Sequence, residues 1–241
     1  MPYALHRGDA LSVLSGLPDE SVDALVTDPP YNSGGRTSMD RTTRSARSKY
    51  TSEKGGLPDF GDENKDQRSF TRWMTEILRE SYRVTVPTGT AIVFIDWRQL
   101  PSLTDAMQMA GWTWRGVAAW HKPASRPQKG RIKQSCEFIV WGSKGAVDAS
   151  RNPVYLPGLY TASQPRKDRK HITQKPLSVM RELVTLCPPG GVVLDPFAGS
   201  GTTGVAALME GRRFIGVEYS PQYADIAEAR LAEAAQYELA A

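Results

Sequence analysis

The sequence predicts an α/β protein built on a doubly wound, largely parallel sheet. Apolar runs of strand length alternate with stretches of helical period along most of the chain. A glycine-rich turn joins one of those strands to a helix, and acidic residues stand at several strand ends, the edge where such sheets place their ligands.

Taken in order, Ala4–His6 is a short strand closed by Gly8 and Asp9, and Ala10–Ser15 a short helix. Val22–Thr27 is apolar enough for a buried strand. Arg36–Asn64 lacks apolar period and is rich in Gly, Ser and Arg, which predicts a mobile basic loop over about 33–66. Phe70, Trp73, Ile77, Leu78 and Tyr82 recur at helical spacing and predict a helix over Phe70–Thr85. Thr90–Ile95 reads as a strand, Leu100–Met109 as a helix, and Trp112–Trp120 and Glu137–Trp141 as strands. Ser150–Lys170, dense in Pro, Arg and Lys, reads as irregular. Pro176–Leu186 is a helix with proline in its first turn. Gly191–Leu194 then leads through the glycine turn into a helix ending near Leu208, Phe214–Val217 is the last strand, and Pro221–Leu239 the last helix.

With 241 residues and 40% hydrophobic content, the chain can bury one proper core, and a single domain over 1–241 is expected. No apolar run reaches membrane-spanning length, and Met1–Leu14 lacks the charged start and apolar centre of a signal peptide, so a cytoplasmic protein off the membrane is expected. Cys136 and Cys187 are too few for a disulfide scaffold and read as buried thiols. His6, His121 and His171 lack metal-ligand spacing, so no metal is expected. The net charge of +4 hides an uneven distribution. Arg36, Arg41, Arg44, Arg47, Lys49 and Lys54 face only Asp40 and Glu53, and Lys122–Lys175 holds twelve basic residues against Glu137, Asp148 and Asp168. Two basic segments leaving strand ends suit a phosphate backbone, with Lys122, Arg126, Lys129 and Arg131 as further contacts.

Asp28-Pro29-Pro30-Tyr31, directly after the Val22–Thr27 strand, joins a carboxylate, an aimed carbonyl and an aromatic face. Pro30 keeps Pro29 out of helical geometry and turns the Pro29 carbonyl outward. Two acceptors can hold the two N–H groups of an aromatic amine, and Tyr31 can stack on its ring. Such a grip would point the amine's lone pair at an electrophile. The second motif, Asp195-Pro196-Phe197-Ala198-Gly199-Ser200-Gly201-Thr202-Thr203-Gly204, contains G-x-G-x-x-G, with Glu218 about 20 residues on, as in dinucleotide binders. An acid ahead of the turn would repel a pyrophosphate and suits a ligand carrying an ammonium group.

These motifs resemble those of DNA amino-methyltransferases that use S-adenosylmethionine, in the circularly permuted group whose target-base motif precedes the cofactor motif. Asp28–Tyr31 is similar to the family's D-P-P-Y and Asp195–Gly201 to its D-P-F-x-G-S-G. Thr173, Lys175 and Pro176 resemble the segment before the cofactor strand, Gly8–Leu11 the adenine-contacting segment, and Trp120–Pro123 the W-x-K-P strand end. The resemblance spans about residues 6–220 and implies a Rossmann-like methyltransferase sheet with permuted motif order, S-adenosyl-L-methionine as cofactor and DNA, expected to be double-stranded, as substrate. It also implies roles. Asp28, Pro29, Pro30 and Tyr31 would act on the flipped base, while Asp9, Ala10, Asp28, Thr173, Lys175, Asp195, Phe197, Gly199, Ser200, Gly201, Thr202, Glu218 and Tyr219 would hold the cofactor. Trp120 would offer a second stacking face or belong to the core.

Asp at position 28 leans toward N6 of adenine, with N4 of cytosine as the alternative acceptor. An inactive DNA-binding protein on the same fold would be expected to have lost Asp28 or a turn glycine. The target-recognition segment is short, about 142–170, and Cys136 stands where the family often has His. A short stand-alone enzyme of this kind suits a phage or a restriction–modification setting, and a homodimer is left open.

Overall fold

The computed structural model describes residues 1–32, 65–125, 127, 129–164 and 174–238. Its strands are β1 (Tyr3–Arg7), β2 (Val22–Thr27), β3 (Thr85–Ile95), β4 (Thr113–His121), β5 (Cys136–Ser143), β6 (Leu159–Thr161), β7 (Val192–Asp195) and β8 (Arg213–Glu218). They form one sheet of order β1-β8-β7-β2-β3-β5-β4-β6. All neighbours are parallel except β5, which runs antiparallel to both β3 and β4. The first strand therefore pairs with the last, as a permuted doubly wound sheet requires.

Six described helices cover the sheet: α1 (Ala10–Gly16), α2 (Gln67–Val84), α3 (Leu100–Met109), α4 (Leu177–Val184), α5 (Thr202–Met209) and α6 (Pro221–Glu238). Strand alternation distributes the core between two faces. Ile92 and Phe94 of β3 point to the side holding Val179, Leu183, Val205, Leu208 and Leu231 of α4, α5 and α6. Ala91, Val93 and Ile95 point to the side holding Leu14, Phe70, Met74, Leu78, Leu103 and Met107 of α1, α2 and α3. Helix α2 starts where Asp66 accepts from the Ser69 amide (2.7 Å), and its buried stripe is Phe70, Met74, Ile77, Leu78, Ser81 and Val84. Trp73 and Tyr82, expected on that stripe, lie only partly buried at its margin.

Among the described residues the predicted strands and helices agree with the observed ones to within a few residues, except where pairing extends or creates a strand; the loop expected over about 33–66 lies almost wholly outside the described residues. β3 begins at Thr85 rather than Thr90, carried through Pro87 and Gly89 by pairing of Thr85 with Val22. β6 lies within the segment read as irregular; three residues become a strand because they pair with Ala119–His121 of β4. Cys187 is buried, whereas Cys136 is only partly so.

The turn between β7 and α5 needs glycine in two ways. Gly199 (φ +54°) and Gly201 (φ +78°) occupy the left-handed region. Gly204, inside α5, lets the helix approach β8, since a Cβ there would lie 2.5 Å from Leu231 and 2.6 Å from the Phe214 ring. Gly204→Ala is expected to cost about 1–3 kcal/mol through overpacking, seen as a fall in Tm of about 2–4 °C per kcal/mol for a chain of this size. An unchanged melting curve would show that the Phe214 ring yields freely.

Candidate active site

Because β1, β8, β7, β2 and β3 run in one direction, their carboxyl ends share one edge, and that edge gathers Asp9, Glu218, Asp195 and Asp28. The β2 and β7 ends are tied directly: Thr27 Oγ1 donates to Asp195 Oδ1 at 2.6 Å. The two sequence motifs, separated by more than half the chain, thus open onto a common surface. Asp195 also accepts from the Phe197 amide (3.0 Å), which sets the first bend of the glycine turn. Burial raises the Asp195 carboxyl to about 6, against hydrogen bonds from Thr203 and Thr27 that lower it.

Glu218 closes the same turn from β8, its oxygens accepting from the amides of Gly199 and Ser220, both at 2.8 Å. Burial pushes its carboxyl up to about 7 despite those bonds. Asp9 is exposed and caps α1, one oxygen accepting from the Ser12 amide (2.9 Å) and hydroxyl (3.0 Å), with Ala10 buried behind it. Tyr219 is exposed, Ser200 and Thr202 are buried, and Phe197 packs on Trp73 of α2 (centroids 5.4 Å apart). Arg230 of α6, the single base in an acidic stretch, reaches behind the turn and donates to the Ser200 carbonyl, to Ser200 Oγ (3.2 Å) and to Thr202 Oγ1 (3.1 Å). Sequence reasoning did not anticipate this clamp.

Around Asp28 lies a compact group of charges, with Glu137 and Lys175 buried and Asp28 and Lys122 partly so. Lys175 Nζ donates to Asp28 Oδ2 and lies 3.3 Å from Glu137 Oε2. The Tyr31 hydroxyl lies 2.7 Å from Asp28 Oδ1 and 3.0 Å from Glu137 Oε2, and Lys122 Nζ donates to Glu137 Oε1 at 2.6 Å. Two carboxylates meet two ammonium groups, which is the balance burial demands. Lys175 is also roofed by the rings of Tyr31 (5.2 Å), Phe94 (5.1 Å) and Trp120 (5.8 Å). Burial raises the Asp28 carboxyl, with Lys175 pulling it down and Glu137 pushing it up. Glu137 is also opposed by burial, yet Lys175 and Lys122 hold it at about 2.

Several expected roles change in this setting. Trp120 is fully buried, its indole N–H donating to the Ala162 carbonyl (2.9 Å), so it is a core aromatic and offers no stacking face. Lys122, expected on phosphate, is engaged by Glu137, and the ammonium of Lys175, expected on the cofactor, is turned to Asp28 and Glu137. Lys129 and Arg131 are exposed. Arg36, Arg41, Arg44, Arg47, Lys49, Arg126 and Thr173 lie outside the described residues. Glu137, like Arg230, was missed by sequence reasoning; its one local mark was an acid opening an apolar strand, and the antiparallel run of β5 is what brings that end to the site. Among the described residues, no cluster of His, Cys, Asp and Glu could hold a metal, and no helix is long and apolar enough to cross a membrane.

A Rossmann-like sheet with a carboxylate motif and a glycine turn on one edge defines a methyltransferase architecture. The family model for N6/N4 DNA methylases matches residues 22–229, and the chain belongs to this family of DNA methyltransferases. It is 30% identical over 228 residues to YubD of Escherichia coli K12, named as a methylase, covering 94% of this chain and 88% of that one. It is 28% identical over 249 residues to the type II methyltransferase M.HinfI of Haemophilus influenzae, covering 94% and 67%. Among solved structures, TTHA0409 of Thermus thermophilus, described as a DNA modification methylase, superposes with a TM-score of 0.70 at 26% identity, covering 96% of this chain and 95% of that one. TTHA0409 has also been crystallised with S-adenosyl-L-methionine.

The site's acids set a pH dependence of stability. Asp195 and Glu218 have folded-state values above those of an unfolded chain, so their contribution is complete below about pH 4. It is lost as pH rises through about 6 and about 7. Glu137, lowered to about 2, acts oppositely, and its contribution is lost only as pH falls below its unfolded value. Thermal melts of the ligand-free protein are expected to decline between about pH 5 and about pH 7, and Glu218→Gln to flatten that decline. A melting temperature that rises equally for both proteins across this window would contradict the assignment.

Proposed function

We propose that this chain transfers a methyl group from S-adenosyl-L-methionine to N6 of adenine in double-stranded DNA. The observation that carries the reading is Asp28, an acceptor carboxylate on the edge it shares with the glycine turn of Asp195 and Gly199. The chain's own groups suit the cofactor. Two acids with raised values, the buried Asp195 and the partly buried Glu218, favour a cationic neighbour, and a turn with two left-handed glycines lets a ligand lie against backbone. In this reading Glu218 accepts from the ribose hydroxyls, Asp9 from the adenine amine, and Phe197, Ser200, Gly201 and Thr202 hold the methionine half, with Ala10, Thr173 and Tyr219 at the margins.

When bound, the cofactor supplies an electrophilic methyl on sulfur. The Asp28 carboxylate and the Pro29 carbonyl accept from the target amine and turn its lone pair toward that carbon, while Pro30 fixes the carbonyl's direction. Asp28 would then take up the proton that the amine sheds once it has been methylated. Tyr31 steadies the carboxylate through its hydroxyl and lines the base with its ring. A target amine paired inside a duplex must be rotated out, at a cost of about a few kcal/mol that backbone contacts offset. The carboxylate at position 28, rather than a hydroxyl, favours adenine over the alternative, N4 of cytosine.

Nucleoside analysis of plasmid DNA incubated with the enzyme and S-adenosyl-L-methionine is expected to give N6-methyladenine. N4-methylcytosine instead would overturn the choice of base. Asp28→Ala is expected to abolish methylation and leave cofactor binding by calorimetry intact; loss of both in a folded protein would mean that Asp28 serves the cofactor. Arg41, Arg44 and Arg47, in the segment between Asn32 and Lys65, are proposed to contact phosphates. Their joint replacement by Ala should weaken DNA binding and shrink its log–log salt slope by about 0.9 for each phosphate no longer neutralised, whereas an unaltered slope removes them from the interface.

A further inference from the structure

We propose that Glu137 is a positioning residue for methyl transfer: it is the second acceptor to which the Tyr31 hydroxyl turns when a target amine takes Oδ1 of Asp28. The inference rests on the reading of Asp28 as the amine's acceptor. Both oxygens of Asp28 already have donors, Tyr31 Oη at Oδ1 (2.7 Å) and Lys175 Nζ at Oδ2. An amine that comes to Asp28 must share an oxygen with one of them. Lys175 has little room to withdraw, because its ammonium is enclosed by three aromatic rings and held between the Asp28 and Glu137 carboxylates. Tyr31 can withdraw.

Its hydroxyl has one proton and two acceptors within reach, Asp28 Oδ1 and, at 3.0 Å, Glu137 Oε2. Rotation about the phenolic C–O bond moves the proton from one to the other while every heavy atom stays in place. Glu137 is equipped to receive it. Lys122 engages its Oε1 at 2.6 Å, which leaves Oε2 to face Tyr31 and Lys175 and keeps the carboxylate charged. Lys175 touches both carboxylates, so the spacing between the two acceptors is fixed. Glu137 itself is placed by the sheet: it pairs with Trp120 in the β4–β5 ladder, at the β5 end that borders the site.

Two effects distinguish this role from packing. First, Glu137 and Tyr31 act as a unit, so their substitutions are non-additive. Second, the charge on Glu137 bears on Asp28, which is also faced by Lys175, Tyr31 and Asp195. Glu137→Gln removes a like charge and replaces a charged acceptor by a weaker neutral one, which biases the Tyr31 proton toward Asp28; both changes ease Asp28 ionisation, moving the acid limb of the kcat–pH profile to lower pH.

The test measures transfer of labelled methyl from S-adenosyl-L-methionine to plasmid DNA, a readout indifferent to which base is modified, with calorimetric cofactor binding alongside. Glu137→Gln is expected to lower kcat about 10–100-fold with KM and affinity for S-adenosyl-L-methionine unchanged, and to shift the acid limb downward. In a Tyr31→Phe background, where no hydroxyl competes for Asp28, the same substitution should cost little. A wild-type kcat and acid limb in Glu137→Gln, or an equal loss with and without the Tyr31 hydroxyl, would overturn the proposal. Should Glu137→Gln not fold, Glu137→Asp, which keeps the charge near Lys122 but draws the carboxylate back from Tyr31, is carried through the same cycle with the same two outcomes. Asp28→Ala run in parallel separates the layers: if it still methylates DNA, the reading of Asp28 fails, and if it is inactive while Glu137→Gln is normal, only the role of Glu137 does.

Discussion

The parallel pairing of β2 with β7 is the constraint on which the site depends. Its register, Ala24 with Val193 and Leu25 with Leu194, brings Thr27 to within one residue of the level of Asp195, and the 2.6 Å bond between them locks the two strand ends together. A one-residue slip would turn Val26 and Thr27 to opposite faces of the sheet and separate the motifs. The buried faces of β2 and β7 prevent that slip, because Leu25 and Leu194 share one core and Ala24 and Val193 the other. The geometry of the site is therefore inherited from hydrophobic packing.

Charge balance is the second organising constraint. Asp28, Glu137, Lys175 and Lys122 bring two charges of each sign into a largely buried group, and the Asp28 carboxylate is balanced by neighbours more than by water. Asp195 and Glu218 follow the opposite logic. Burial raises their values, hydroxyls and backbone amides offset it only in part, and with no ion pair to a cationic side chain among the described residues this end of the edge is left receptive to positive charge. One edge thus carries two electrostatic environments side by side.

Much of this was legible in the chain because it is encoded locally. The strand before Asp28, the proline pair, the turn glycines and Glu218 each announce themselves within a few residues, and the helix over Leu100–Met109 has the observed limits. What escaped depends on pairing between distant segments. Nothing near Glu137 states that β5 runs antiparallel with Glu137 opposite Trp120, and only that register brings its carboxylate to Lys122, Tyr31 and Lys175. A tally of basic residues likewise credited Lys122 to a DNA surface, since net charge is blind to internal partners. Trp120 could be core or platform by sequence; the parallel addition of β6 beside it resolves the matter in favour of core. Arg230 was visible as an isolated base, but its bond to the Ser200 turn is a product of how α6 packs.

Asn32 Oδ1 accepts from the Lys65 amide at 2.9 Å, so the chain leaves the sheet after β2 and re-enters before α2 through a single doorway. Whatever is threaded between those two residues makes its exit and return at the same point, and lengthening it twofold costs only about 0.6 kcal/mol in closure entropy. The frame can therefore accept a different excursion without moving Asp28 or Trp73. An architecture of that kind uncouples the content of an insertion from the scaffold that carries it.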